Sequence, residues 1–310
     1  MSAVLGITGP IFALIGLGWL VTRAGVFQAG DLRALGRYVV MLALPALIFR
    51  AVTAHDLASL VDGGYLAAYL GGSLATLAIG YGFGRRAGLD GAASTFQAMG
   101  MACANSGFIG YPMLLIALPA LADRALALNM IVENLVMIPL VLVFAERSGP
   151  GGGAVRTARR VGTNPIVLAL AAGLAVALTG VRVPAAIVQA LDLVARSSAA
   201  VSLVVIGGTL VGVRRAGQGG RVATVVAGKL LLHPLAVAAG FALLRVAGVP
   251  VDPELAAAGV LVAATPAMGI YPILAAQYGQ GATAAVAMLA MTLGSFFTLG
   301  GLLWVLDLAG

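Results

Sequence analysis

The sequence is short of charge. Only 9% of its 310 residues are Asp, Glu, Lys or Arg, against roughly 25% in an ordinary soluble domain. Aromatic residues make up 6%, and Cys103 is the only cysteine. A single cysteine excludes an intrachain disulfide and leaves the redox compartment unread. It is taken as a packing residue. The two histidines, His55 and His233, are far apart, so the His-Glu-x-x-His pattern of a zinc protease is absent. No Gly-x-Ser-x-Gly elbow occurs, and no paired aspartates stand at membrane depth. These absences argue against an enzyme, and neither cofactor nor metal is expected. The net charge of +7 does not signal nucleic acid, because the basic residues form no single patch. They sit in short loops between apolar runs, where orientation signals belong.

What is abundant is apolar surface. The chain is 61% hydrophobic, more than a soluble fold of this length can hide, so the lipid bilayer must act as its solvent. Its 43 glycines suit close helix packing in a membrane. A bilayer core needs about 20 apolar residues per helix. Such runs occupy roughly 3–22, 34–54, 63–84, 92–118, 124–145, 164–181, 186–212, 222–246, 254–276 and 282–306. They are too long and too continuously apolar for barrel strands, and a helix satisfies its own backbone in lipid. The first run lacks a basic n-region and is followed by further spans, so it reads as a helix and not as a cleaved signal. The fold class expected is an all-α membrane protein of ten transmembrane helices.

Lys and Arg orient it. With the N-terminus outside, the inner loops hold Arg23, Arg33, Arg37, Arg85, Arg86, Arg147, Arg156, Arg159, Arg160, Arg214, Arg215 and Arg221. The outer loops hold only Arg50, Arg124, Arg182 and Arg245. This places both termini on the outer, periplasmic side of an inner membrane. Residues 147–163 are Gly-rich, basic and cytoplasmic, and read as a linker. They divide the chain into five-helix halves, 1–146 and 164–310. An odd span count per half makes the halves inverted. Three landmarks support an internal repeat. Leu32 to Arg37 resembles Leu191 to Arg196 at an offset of 159, while Ala87-Gly88 and Tyr111-Pro112 recur at Ala247-Gly248 and Tyr271-Pro272 at an offset of 160. Inverted repeats are typical of secondary transporters.

Two runs carry helix breakers near their middle. The fourth reads Ala104-Asn105-Ser106-Gly107-Phe108-Ile109-Gly110-Tyr111-Pro112, and the ninth reads Ala264-Thr265-Pro266-Ala267-Met268-Gly269-Ile270-Tyr271-Pro272. Pro removes a donor and clashes with the preceding turn, while Gly permits unusual dihedrals. Broken helices at matching positions of inverted halves are the best pointer to a transport site. Half-helix N-termini expected at 109–112 and 269–272 would favour an anion. The expected substrate site comprises Asn105, Ser106, Gly107, Tyr111, Pro112, Thr265, Pro266, Gly269, Tyr271 and Pro272. A pair of proline kinks without a ligand is the plainer alternative.

Ionisable residues inside spans are costly and need separate reading. Glu133, with Asn129 one turn before it and Asn134 beside it, reads as a proton or sodium site, or as an ion pair with Lys229. Lys229 has His233 one turn later and lies near the cytoplasmic end, where it could snorkel. Asp192 and Arg196 are four apart, with Gln189 a turn earlier, and read as a self-neutralising pair. Arg196 could instead attract an anion near the outer mouth. His55 beside Asp56 reads as a solvated loop residue.

The chain resembles the auxin efflux carrier family over essentially its whole length. The resemblance rests on Asn105 to Pro112, Asn164-Pro165, Lys229-Leu-Leu-Leu-His-Pro234, and Thr265-Pro266 through Gln277-Tyr278-Gly279. It implies ten helices, a scaffold domain, a transporter domain with crossed fourth and ninth helices, carriage of organic anions and a homodimer. Many members carry Asn just after the ninth-helix proline, whereas this chain has Met268, Gly269 and Ile270 there. The function expected is alternating-access transport of a small organic anion, a carboxylate. H+ or Na+ coupling stays open. The runner-up is a cation-coupled antiporter or symporter of a related crossover fold, of sodium/proton or bile-acid type, disfavoured because no carboxylate lies beside either break.

Overall fold

The computed structural model describes residues 2–53, 61–147, 159, 162–211 and 219–306. His55 and most of the linker 147–163 lie outside them. Among the described residues the chain is helical apart from one isolated β-bridge. The helices are α1 (Ser2–Arg23), α2 (Ala29–Thr53), α3 (Gly63–Arg86), α4 (Gly91–Ala102), α5 (Ser106–Ala117), α6 (122–147), α7 (Pro165–Thr179), α8 (Ala185–Thr209), α9 (Gly219–Val246), α10 (Pro253–Ala263), α11 (Tyr271–Ala276) and α12 (Gly281–Val305). Six of them, α2, α3, α6, α8, α9 and α12, are long and apolar enough to cross a membrane. Shorter apolar helices are supplied by α5, α7, α10 and the 9–23 part of α1.

Local chemistry sets the ends. Asp62 and Asp90 cap α3 and α4, accepting from Tyr65 N (2.8 Å) and Ala93 N (2.7 Å). Asn164 and Asp252 cap α7 and α10 ahead of Pro165 and Pro253. A side-chain oxygen satisfies an orphan amide there, and the proline has no amide to lose. Gly88 (φ 80°) and Gly248 (φ 77°) follow α3 and α9 in the left-handed region that glycine reaches at little cost. These are the two glycines that repeat at an offset of 160.

Four helices contain a wide, π-helical turn: Val39–Ala43, Ser106–Gly110, Val132–Met137 and Gly228–Leu232. Each ends two residues before a proline, namely Pro45, Pro112, Pro139 and Pro234. A proline inside a helix lacks its amide and pushes on the carbonyl four residues back. Widening the preceding turn relieves that clash without ending the helix.

Two groups of helices pack mainly among themselves and also touch each other, α2 against α6 and α1 against α12. One joins α1, α2, α7 and α8; the other joins α3, α4, α6, α9, α10, α11 and α12. Within the first, α1 and α8 touch backbone to backbone. A Cβ on Gly207 would lie 1.8 Å from the Ile15 carbonyl oxygen, and one on Gly18 2.1 Å from that of Val204. Within the second, a Cβ on Gly72 of α3 would lie 2.6 Å from Val237 Cα of α9. Such contacts are how glycine drives helix association without a hydrophobic force between helices. Between the groups runs α5, touching α1 and α8 on one side and α6 and α10 on the other.

Candidate functional site

The two breaks meet. Ala104 and Ala267 form an antiparallel bridge. Asn105 N donates to Pro266 O (2.9 Å) and Met268 N donates to Cys103 O (3.3 Å). Asn105 N also lies 3.2 Å from Thr265 Oγ1, which donates to Val262 O at 2.8 Å. Amides and carbonyls freed by the breaks therefore satisfy one another, as buried backbone must in lipid.

This changes the roles read from sequence. Thr265 is committed to backbone partners, so it braces the crossing. Helix α5 starts at Ser106, not at 109–112, because Asn105 Oδ1 accepts from Phe108 N at 3.1 Å and caps it. That bond fixes the amide orientation. Asn105 Nδ2, buried and without a partner, keeps its donors. The buried Ser106 hydroxyl is unpartnered too; it stands beside Glu133 and Tyr69 without reaching hydrogen-bond geometry with either. Gly107 packs on Leu44 and Met130, and Gly269 on Phe108. Pro112 shapes the wide turn ahead of it. Tyr271, just before Pro272, points away from the crossing: its phenol lies over Gly100, where a Cβ would come within 2.7 Å.

Beside the crossing lies a buried polar network. Glu133, 2% exposed, accepts from Ala104 N at 3.1 Å and from Tyr69 O–H at 3.4 Å. Tyr65, stacked on Tyr69, donates to Asn129 Oδ1 at 3.1 Å. Asn129 Nδ2 is buried without a partner. On α9, Lys229 donates to the carbonyl of Ala263 at the end of α10 and reaches His233 Nδ1 at 2.8 Å. His233 Nε2 meets Ser73 Oγ at 2.9 Å. With Lys229 an ammonium, which only donates, Nδ1 accepts and Nε2 carries the proton. Each break is thus held by an ionisable side chain: Glu133 on the free amide of Ala104 and Lys229 on the free carbonyl of Ala263.

Two expected ion pairs are not formed among the described residues. Glu133 and Lys229 are near enough for their charges to attract, but both are drawn to the break backbones and make no salt bridge. Nor does Lys229 snorkel, being 0% exposed. Asp192 does not pair with Arg196 on its own helix; Arg50 Nε of α2 lies 2.6 Å from Asp192 Oδ1. Spacing along one helix offered the nearer partner, and packing of α2 on α8 supplied a better one. Arg50 accordingly belongs to a helix, not to an outer loop.

Arg50, Arg196 and the carboxylates Asp192 and Asp123 line a cavity of about 380 Å³ between α2, α5 and α8, with Asp123 at the start of α6. Tyr111 also lines it and donates to Asp123 Oδ1 at 3.0 Å. Leu47, Ala51, Leu115, Ala195 and Ala199 form its apolar walls. Tyr111 thus faces this cavity, while Asn105, Ser106, Thr265 and Pro266 gather at the crossing. The wide turns holding Ser106, Glu133 and Lys229 were not read from the sequence; prolines at 112, 139 and 234 were the available signal.

Residues 7–151 match the family described as Membrane transport protein. Over 99% of its length the chain is 28% identical to a Rhizobium meliloti protein named "Putative malonate transporter", covering 97% of that protein. Over 105 residues, a third of this chain and 34% of the relative, it is 32% identical to an "Uncharacterized transporter" of Methanothermobacter thermautotrophicus. These similarities agree with the resemblance to the auxin efflux carrier family.

Proposed function

We propose that the chain, which matches the family described as Membrane transport protein over residues 7–151, is a membrane transporter that carries a small organic anion, a carboxylate, by alternating access. The observation that carries this is the pairing of two broken helices around Asn105, whose buried amide keeps its donors. Ser106, in the first turn of α5, adds a hydroxyl. Donors at a helix start in a dry site suit a carboxylate. The name of the Rhizobium relative makes malonate the first probe.

The architecture proposed is ten spans, in which α4 with α5 and α10 with α11 each make one broken span. The halves 1–146 and 164–310 are inverted repeats joined by 147–163. Shifting the first half by 160 residues lays α1 to α6 over α7 to α12. Under a pseudo-twofold axis, equivalent positions meet only near that axis. Two hydrogen bonds join residues 160 apart, Asn105 to Thr265 and Ser73 to His233, and a third joins Tyr38 to Ser197, 159 apart. The axis then runs through the crossing. Helices α1, α2, α7 and α8 form the scaffold against which the other group moves, with both termini outside.

A second reading adds coupling. Glu133 is a buried carboxylate touching the first break, and intramembrane carboxylates mark proton or cation paths. It favours H+ or Na+ coupling over simple facilitation. The test is a thermal-shift panel on purified protein with malonate, other short mono- and dicarboxylates and indole-3-acetate, each with and without Na+ at two pH values. Saturation at 100 times Kd adds about 2.7 kcal/mol to the folded state. A selective carboxylate shift lost in Asn105→Ala is expected; a shift with Na+ alone overturns the anion reading.

A further inference from the structure

We propose that the cavity between α2, α5 and α8 is a carboxylate-binding station in which Arg196 supplies the charge and Arg50 a second set of donors. This rests on the anion-transport reading above. Arg196 reaches the cavity with no carboxylate partner among the described residues. Arg50 presents only Nε to Asp192, so its two Nη groups remain for a ligand. The phenol hydrogen of Tyr111 is committed to Asp123, which leaves the guanidinium groups as the cavity's donors. Leu47 and Leu115 give it an apolar side. A charged end facing an aliphatic wall fits a short carboxylate with a hydrocarbon body. Guanidinium groups recognise carboxylates through paired N–H bonds.

Asp192 has two effects here. It holds Arg50 in place, and it competes with any anion for the same guanidinium. The carboxylate and the ligand cannot both have Arg50 fully. The station therefore favours a ligand able to use Arg196 first and Arg50 second, and a dicarboxylate such as malonate gains more from both than acetate does. In the orientation proposed above, the cavity lies toward the outer side. Because Tyr111 and Leu115 belong to α5, a ligand there touches the broken helix that leads to Asn105.

The test uses the full chain in neutral detergent, with malonate and acetate as probes, followed by uptake into proteoliposomes. Arg196→Gln is expected to raise the malonate Kd by about tenfold or more, the loss of a charge-assisted contact. Arg196→Lys, which keeps the charge without the fork, is expected to fall between. Asp192→Asn is expected to tighten malonate binding, the opposite of what loss of a mere brace would do. An unchanged Kd in Arg196→Gln overturns the station; if Asn105→Ala still abolishes binding, the transport reading stands alone. Weaker binding in Asp192→Asn removes Arg50 from the station. Wild type that neither binds nor moves any carboxylate overturns both readings. A phospholipid headgroup offers the same oxyanion chemistry, so a parallel arm uses phosphatidylglycerol nanodiscs. Arg196-dependent lipid retention without malonate binding assigns the cavity to lipid and overturns the proposal.

Discussion

Asn105 combines two jobs in one side chain. Its oxygen caps α5 through Phe108 N, and its buried, unpaired nitrogen is the donor proposed for the ligand. The jobs separate by substitution. Asn105→Asp keeps an oxygen for the cap and replaces the donor with a second acceptor, so the protein should fold and lose its malonate thermal shift. Asn105→Ala should lose the shift and also about 1 kcal/mol of stability, the usual worth of a cap. Malonate binding by Asn105→Asp at wild-type strength sinks the donor role. The type of residue at 105 was legible in the sequence, but its division of labour was not, because that depends on where Phe108 N falls. Glu133 and Lys229 were likewise legible as costly buried charges. What spacing could not supply was their partners, the backbone groups of Ala104 and Ala263. Glu133→Gln and Lys229→Met each weaken the hold on a break backbone group and should each lower the melting temperature; if the two charges also attract, the double variant loses less than the sum. Additive melting temperatures would show that the two charges are independent.

At the scale of elements, proline position decides where helices widen. Pro45, Pro112, Pro139 and Pro234 each follow a wide turn, and three of those turns hold Ser106, Glu133 and Lys229. A wide turn inserts one residue and rotates everything beyond it, which sets the direction in which Glu133 and Lys229 point. Pro234→Ala removes the clash that favours the wide turn. A regular α-helix should then compete, turning Lys229 away from Ala263. The expected outcome is a several-fold fall in uptake with little loss of helix content by circular dichroism; unchanged uptake would mean the turn is held by packing and not by proline. The breaks themselves were visible in the sequence as Gly and Pro clusters. The first half-helix start was misplaced, since the cap at Asn105 and not Pro112 begins α5, while α11 begins at Tyr271, inside the expected 269–272. The α1–α8 contact is simpler. Gly207→Leu must push Ile15 away and should lower the melting temperature, with a cost of about 1–3 kcal/mol.

For the whole molecule, the offset of 160 residues was visible in the sequence because prolines and glycines recur at it, whereas which helices pack with which was not. Sequence order joins α2 to α3, yet packing joins α2 to α7 and α8, and α3 to α9. If alternating access is the motion of one group against the other, the contacts of α2 on α6, α1 on α12 and α8 on α5 must change; at the last of these Ser202 Oγ meets the Phe108 carbonyl at 3.2 Å. That contact makes Ser202→Cys with Phe108→Cys the pair to test for a disulfide between α8 and α5. The only native thiol, Cys103, is buried at the crossing, and Cys103→Ser gives a clean background. Oxidation should tie α8 to α5 and reduce uptake by about tenfold or more, with recovery on adding dithiothreitol. Malonate binding to the oxidised protein should persist, since the cross-link freezes one state and leaves Asn105 in place. Uptake that continues at full rate after complete cross-linking would mean that α5 and α8 travel together, and the dividing line between moving and fixed groups would have to be drawn elsewhere.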